Sequence, residues 1–165
     1  MAYDGRALAN LVLDRVEQRG QSLTHMALHK VLYYAHGWHL ADQGEPLVSG
    51  GFEAWKYGPV IRPVYNSFKN IGDNKIKGRA TAIDLNTGEI FEPRCELTNN
   101  QSNLLSAVLG AYGHLHAYDL SRMTHQQDSP WDRVWNGGDR ISLGMRIPDD
   151  AIREHFVLIR HNTRN

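Results

Sequence analysis

Three histidines are spaced in a way that could bind a metal ion. At about 100° per residue, His25, His29 and His36 fall within roughly one 40° arc of a helix. An H-x-x-x-H pair can ligate zinc, but the metalloprotease signature also requires a glutamate directly after the first histidine, where this chain has methionine. His114 and His116 add an H-x-H pair. A metal-dependent hydrolase stays open as an alternative, but histidines that flank a core explain the pattern more simply. We therefore expect no native metal and no cofactor.

Other catalytic patterns are weaker. Cys95 is the only cysteine, so no internal disulfide exists. Arg94 could lower the pKa of this thiol, but no base is tied to it by sequence. The sequence contains no G-x-S-x-G, P-loop or dinucleotide-binding motif. The acidic pair Asp149 and Asp150 is explained by its place in the first turn of a helix. These patterns predict a protein that is not an enzyme.

A third group of residues combines aromatic and polar side chains beside rigid backbone. It consists of Trp38-His39, the string W-K-Y-G-P at 55–59, Thr124-His125 and Pro130-Trp131. Each tryptophan is more often core than contact, and we expect core roles for Trp38, Trp55 and Trp131. Large rings beside proline and glycine are also typical of protein-recognition surfaces, because they bind with little loss of entropy.

One helix must position most of these residues. Between Thr24 and Ala41 the only formal charge is Lys30. Leu28, Val31, Leu32, Ala35 and His39 recur at steps of three and four residues, and much of the opposite face is also apolar. A helix that is apolar nearly all round is a buried one, so this pattern predicts a central helix capped by Ser22 or Thr24 and ended by Gly44.

The flanking segments predict a mainly α fold. Asp4 can cap a first helix, and the fixed φ of Pro59 suits the first turn of a helix that continues to Gly72. Residues 80–94 change to strand spacing around N-T-G at 86–88, which indicates one small β-hairpin. Further helices are predicted after Thr98, over 117–124, after Ser129, and after the Gly137-Gly138 turn from Pro148. No repeat or linker interrupts the chain, so we expect a single domain over 1–165.

Composition gives no electrostatic preference for nucleic acid or membrane. Lys plus Arg and Asp plus Glu number 18 each in 165 residues. The first residues lack the apolar segment of a signal peptide, and a single cysteine suits a reducing compartment. We expect a cytoplasmic protein that contacts no membrane and no nucleic acid.

The chain resembles the Panacea family of SocA-like antitoxin domains, also seen in phage-associated GepA-like proteins. Four strings carry the likeness, namely K-V-L-Y-Y-A-H-G-W-H-L-A at 30–41, A-W-K-Y-G-P-V at 54–60, T-H at 124–125 and P-W at 130–131. Their order and spacing match from about residue 5 to residue 157. In this chain His29 stands where many relatives have glutamine, which argues against a metal role for the histidines.

The resemblance implies a helical bacterial or prophage protein that neutralises a toxin by binding it, without enzymatic activity. The partner is then a protein toxin, encoded by an adjacent gene. Some relatives deliver the toxin to a protease such as ClpXP, so a proteolytic adaptor is the alternative. Many antitoxins add a DNA-binding domain, and we expect none within these 165 residues. The surface that we predict for the partner consists of Tyr57, Gly58, Pro59, Thr124 and His125; the alternative is that Tyr57 and His125 only tie loops to the core.

Overall fold

Helices make up most of the chain in the computed structural model, which describes residues 1–137 and 145–163. Within these residues the helices are α1 (Gly5–Gln18), α2 (His25–Gln43), α3 (Arg62–Phe68), α4 (Asn99–Tyr112), α5 (Ala117–Thr124), α6 (Pro130–Trp135) and α7 (Asp149–Thr163), with a 3₁₀ turn at Lys69–Ile71. The mainly α prediction is confirmed. The second glycine of the turn predicted at Gly137-Gly138 lies outside the described residues.

Helix α2 is the predicted central helix, and five of the other helices in the described residues pack against it. Its first turn is capped by Thr24, whose hydroxyl accepts a hydrogen bond from the Ala27 amide at 3.2 Å. Gly44 ends it in the left-handed conformation, with φ of 72°. Helices α4, α5 and α7 all lie against it, and α1 and α3 also contact it. The apolar positions read from the sequence are therefore covered on several sides.

A small antiparallel sheet crosses one side of α2. Its strands are β1 (Phe52–Trp55), β2 (Gly58–Val60) and β5 (Arg146–Ile147), in the order β2-β1-β5. The chain turns back on itself after β1, so that Ala54 pairs with Pro59.

The predicted helical role of Pro59 is wrong. Pro59 lies in β2, which is an edge strand, where its missing N–H is tolerated. Helix α3 begins at Arg62, and Pro63 occupies its first turn instead. The fixed φ of proline suits both places, and the pairing of β2 with β1 decides between them.

The predicted hairpin is confirmed as a separate two-stranded sheet. Its strands are β3 (Ala82–Ile83) and β4 (Ile90–Phe91), in which Ala82 pairs with Phe91 and Ile83 with Ile90. Thr98 then caps α4 through a reciprocal capping box with Gln101. Among the residues that the structure describes, no helix is long and apolar enough to cross a membrane.

Candidate functional site

Side chains from α5 and α6 fix the turn between β1 and β2. The indole Nε1 of Trp131 donates a hydrogen bond to the carbonyl oxygen of Trp55 at 2.6 Å. The hydroxyl of Ser121 donates to the carbonyl oxygen of Tyr57 at 2.7 Å. Because the main chain is held on both sides of Lys56, the turn presents a defined conformation to solvent.

The central helix α2 binds the main chain that follows this turn, at Pro59 and Ile61. Lys30 donates from Nζ to the carbonyl oxygen of Pro59 at 3.3 Å, although Lys30 is completely buried. The preceding residue of α2, His29, accepts a hydrogen bond at Nδ1 from the Ile61 amide at 3.2 Å. Side chains from three helices thus bind the main chain of residues 55–61, which we call the clamped segment.

Glycine is required at position 58 for two reasons. Its φ of +118° lies in a region that L side chains rarely adopt. A Cβ there would also lie 2.5 Å from Cε of Lys30 and 2.8 Å from the hydroxyl oxygen of Thr124. The buried lysine can therefore reach Pro59 only because residue 58 has no side chain.

Helices α5 and α6 are tied together beneath the clamped segment. The hydroxyl of Thr124 donates to the Ser121 carbonyl at 2.7 Å, and the hydroxyl of Ser129 donates to the Thr124 carbonyl at 2.9 Å. The His125 ring lies 3.8 Å from the Trp131 ring, centroid to centroid. The T-H sequence at 124–125 therefore lies next to the P-W sequence at 130–131, where Trp131 donates its hydrogen bond to the turn.

The five predicted contact residues divide by exposure. Tyr57 is 59% exposed, whereas Gly58, Pro59 and Thr124 are buried and His125 is half-buried. The structure brings all five together, but only Tyr57 offers a large side chain to a partner. Gly58 and Pro59 belong to the clamped segment, Thr124 lies beside Gly58, and His125 packs on Trp131.

The three tryptophans predicted for the core differ in burial. Trp131 is buried, while Trp38 and Trp55 are half-buried. Trp38 packs edge-on against Phe156, and Trp55 packs against Tyr65 at a centroid distance of 4.5 Å.

The interior around Lys30 disfavours positive charge. Burial lowers the pKa of Lys30 to about 7, and no carboxylate among the described residues lies within ion-pairing distance of it. Burial, and then the charge of Lys30, lower the pKa values of His25, His29 and His125. One ring nitrogen of each of these histidines is buried without a hydrogen-bond partner in the described part of the chain. Protonating this cluster therefore opposes folding.

Two of the histidines considered as metal ligands, His36 and His116, form hydrogen bonds in different parts of the fold. His36 accepts at Nδ1 from the Val48 amide at 3.2 Å, so its Nε2 carries the proton and donates to Asp149 at 2.8 Å. His116 accepts from the Tyr118 amide at the start of α5. Within residues 1–137 and 145–163, no group of three potential metal ligands converges. The geometry therefore gives no support to a hydrolase.

The sequence did not identify several residues of this site. Tyr118, which is 68% exposed, stands one helical turn before Ser121 and so on the same face of α5. Ser121 gave no signal, because serine is common at helix ends and in loops, and Ser129 was recognised only as the start of a helix. Lys30 did give a sequence signal, because it is the single charge in an apolar helix, but this pattern does not show that its side chain is buried.

Comparisons with known proteins match the part of the chain that contains the four sequence motifs at 30–41, 54–60, 124–125 and 130–131. Residues 28–132 match the family model described as antitoxin SocA-like, Panacea domain. Antitoxin SocA of Caulobacter vibrioides (strain NA1000 / CB15N) is 39% identical over 158 residues, which cover 94% of this chain and 83% of that protein. No solved structure matches the chain. The matched region begins two residues before Lys30 and ends one residue after Trp131, so it contains the clamped segment and all the side chains that hold it.

Proposed function

The chain belongs to the SocA-like Panacea antitoxin family, and on that premise we propose that it is an antitoxin that neutralises a protein toxin by binding it directly. The toxin would be the product of an adjacent gene, and the complex would form in the cytoplasm, which the single cysteine suits. The antitoxin then acts by covering the working surface of the toxin, without catalysis.

The exposure of Tyr57 on a fixed turn carries this proposal. Tyrosine is enriched among the residues that dominate binding energy, because it offers a large surface and few rotatable bonds. Its main chain is already held by Ser121, and Trp131 holds the turn two residues before it. A turn ordered before binding loses little entropy when a partner docks.

Positive charge and further aromatic surface lie beside Tyr57. The Lys56 ammonium stands 5.3 Å from the Tyr57 ring centroid, whereas the Arg62 guanidinium, 5.6 Å from the Trp55 ring, is already paired with Glu53 at 2.7 Å. Trp135, stacked on Trp131 at 5.9 Å, is also partly exposed. Such a surface suits a partner with aromatic or acidic groups.

An adaptor that delivers the toxin to a ClpXP-type protease is the second candidate. This candidate is favoured because exposed apolar side chains occur at two separate places. Tyr57 is held by α5, whereas the β3–β4 hairpin is held by α1. An adaptor must bind two proteins at once. The half-life of the toxin separates the candidates, because occlusion leaves it unchanged and delivery shortens it.

Co-expression with the adjacent gene tests the proposal. We expect the neighbouring product to arrest growth alone, and we expect the wild-type chain to restore growth and to bind the purified product. If the wild-type chain neither binds nor rescues, the antitoxin proposal fails. The experiment is repeated in cells that lack the protease, where rescue by occlusion persists and rescue by delivery is lost.

A further inference from the structure

The β3–β4 hairpin exposes a cluster of large apolar side chains. We call residues 82–91 the arm. Leu85 is 96% exposed and Ile90 is 70% exposed, and Ile83 and Phe91 are also exposed. A two-stranded hairpin is only marginally stable by itself, and exposed apolar clusters of this kind mark interaction sites. The arm therefore requires contacts that fix it to the rest of the fold, and its exposed apolar side chains require a partner that covers them.

Asn10 of α1 binds the chain on both sides of the arm, two residues before it and two residues after it. Its side chain is completely buried and donates to the carbonyl oxygens of Ala80 at 3.0 Å and Pro93 at 3.1 Å. It also accepts from the Ala80 amide at 2.8 Å. One amide side chain thus joins the two strands at the base and fixes them to α1.

Ion pairs reinforce the same base. Asp14 of α1 binds Arg79 at 2.9 Å and Arg94 at 2.7 Å, and Glu17 binds Arg79 at 2.8 Å. The two arginines that flank the arm are therefore neutralised by α1. The arm itself is held in place while its tip stays uncovered by the described residues.

The remaining charge on the arm is acidic. Residues 81–93 contain Asp84, Glu89 and Glu92 and no lysine or arginine. Glu92 pairs with Arg94, but Glu89 makes no ion pair with a described residue, and Asp84 is bonded only to main-chain amides of the turn. A second copy of the chain would bring like charges together, which disfavours self-association through this surface.

We propose that the arm is a second docking element for the toxin, which contacts it with an apolar patch bordered by arginine or lysine. This inference rests on the proposed antitoxin function. Leu85, Ile90 and Phe91 would be covered on binding, and Glu89 would pair with a basic residue of the toxin. The toxin is then bound at two places, the arm and the turn that carries Tyr57.

The test uses the full-length chain and the purified product of the adjacent gene. The double variant Leu85→Ser with Ile90→Ser should weaken binding at least about tenfold without changing the melting temperature, because both residues are exposed. Leu158→Ser is the matched control, since Leu158 is an exposed leucine on α7 and should bind as the wild type does. Glu89→Lys should also weaken binding, and Glu154→Lys on the exposed face of α7 should not.

The outcomes separate this inference from the proposed function. If the wild-type chain binds the toxin and the arm variants bind equally well, the arm proposal is overturned while the antitoxin proposal stands. If the arm variants keep toxin binding but prolong the half-life of the toxin in cells that contain the protease, the occupant is the protease and the arm proposal is again overturned. If the wild-type chain does not bind the toxin, both proposals fail.

Discussion

The ammonium nitrogen of Lys30 donates to the carbonyl oxygen of Pro59 at 3.3 Å from a fully buried position. A lysine without a carboxylate partner is costly to bury, since its charge loses hydration that a single neutral acceptor cannot replace. It nevertheless joins the central helix to the segment that carries Tyr57. The stability of the protein should therefore be coupled to the charge of Lys30.

The first prediction concerns this coupling at neutral to alkaline pH. The pKa of Lys30 is about 7 in the folded protein and near 10.5 in the unfolded chain, so the unfolded chain binds the proton more tightly. The free energy of unfolding should then rise between pH 7 and 10.5, by up to about 4 kcal/mol in total. Chemical denaturation at several pH values measures this slope, and Lys30→Met should flatten it.

The comparison is made below about pH 9.5, because burial raises the pKa values of Tyr33 and Tyr34, and their ionisation favours unfolding at higher pH. Equal slopes for the wild type and Lys30→Met would show that Lys30 does not titrate in this range.

The second prediction concerns acid. Burial holds the pKa of His29 well below 6.5, so its contribution to stability is complete above pH 6.5 and is lost as pH falls through the folded-state pKa. His29→Gln keeps an acceptor for the Ile61 amide and removes the titrating ring. The variant should lose less stability than the wild type between pH 6.5 and pH 5. His161→Gln, at an exposed position of α7, is the control and should follow the wild-type curve.

The third prediction concerns Gly58. Gly58→Ala places a Cβ 2.5 Å from Lys30 and imposes a disfavoured φ, so it should lower the free energy of unfolding by about 1–3 kcal/mol. Gly110→Ala is the matched control, because it lies in α4 with no atom within 4 Å of the added Cβ. The control should gain about 0.5–1 kcal/mol from helix propensity. Equal effects of the two changes would contradict the close packing at Gly58.

The fourth prediction concerns the anchor of the arm. Asn10→Ala removes three buried hydrogen bonds and should cost about 1–3 kcal/mol in free energy of unfolding. Hydrogen exchange at residues 81–92 should accelerate more than exchange in α2, since the arm loses its attachment to α1. Asn103→Ala, at an exposed position of α4, should change neither quantity appreciably. If hydrogen exchange in the arm is unchanged in Asn10→Ala, the ion pairs of Asp14 alone are sufficient to attach the arm to α1.

Local sequence signals predicted the elements of the fold well. The spacing of Leu28, Val31 and Leu32 identified the central helix, and Thr24 and Thr98 identified helix starts, because a helix cap is decided within a few residues. Pro59 was assigned to a helix because its local preference fits two structures, and the choice depends on pairing with β1.

The site depends on contacts that are distant in sequence. Lys30 meets Pro59 across 29 residues, and Trp131 meets Trp55 across 76. No local pattern encodes such distances, so the resemblance to the family grouped the right strings but could not show which residues face solvent. That division, with Tyr57 outside and Thr124 inside, came from the structure.

The most direct test of the account is the binding of the toxin to Tyr57→Ala. Calorimetry with the purified product of the adjacent gene compares the wild type, Tyr57→Ala and the exposed control Leu158→Ala, after circular dichroism shows that all three are folded. We predict that Tyr57→Ala binds at least about tenfold more weakly and loses growth rescue, while the control matches the wild type. Wild-type affinity and full rescue by a folded Tyr57→Ala variant would contradict the account.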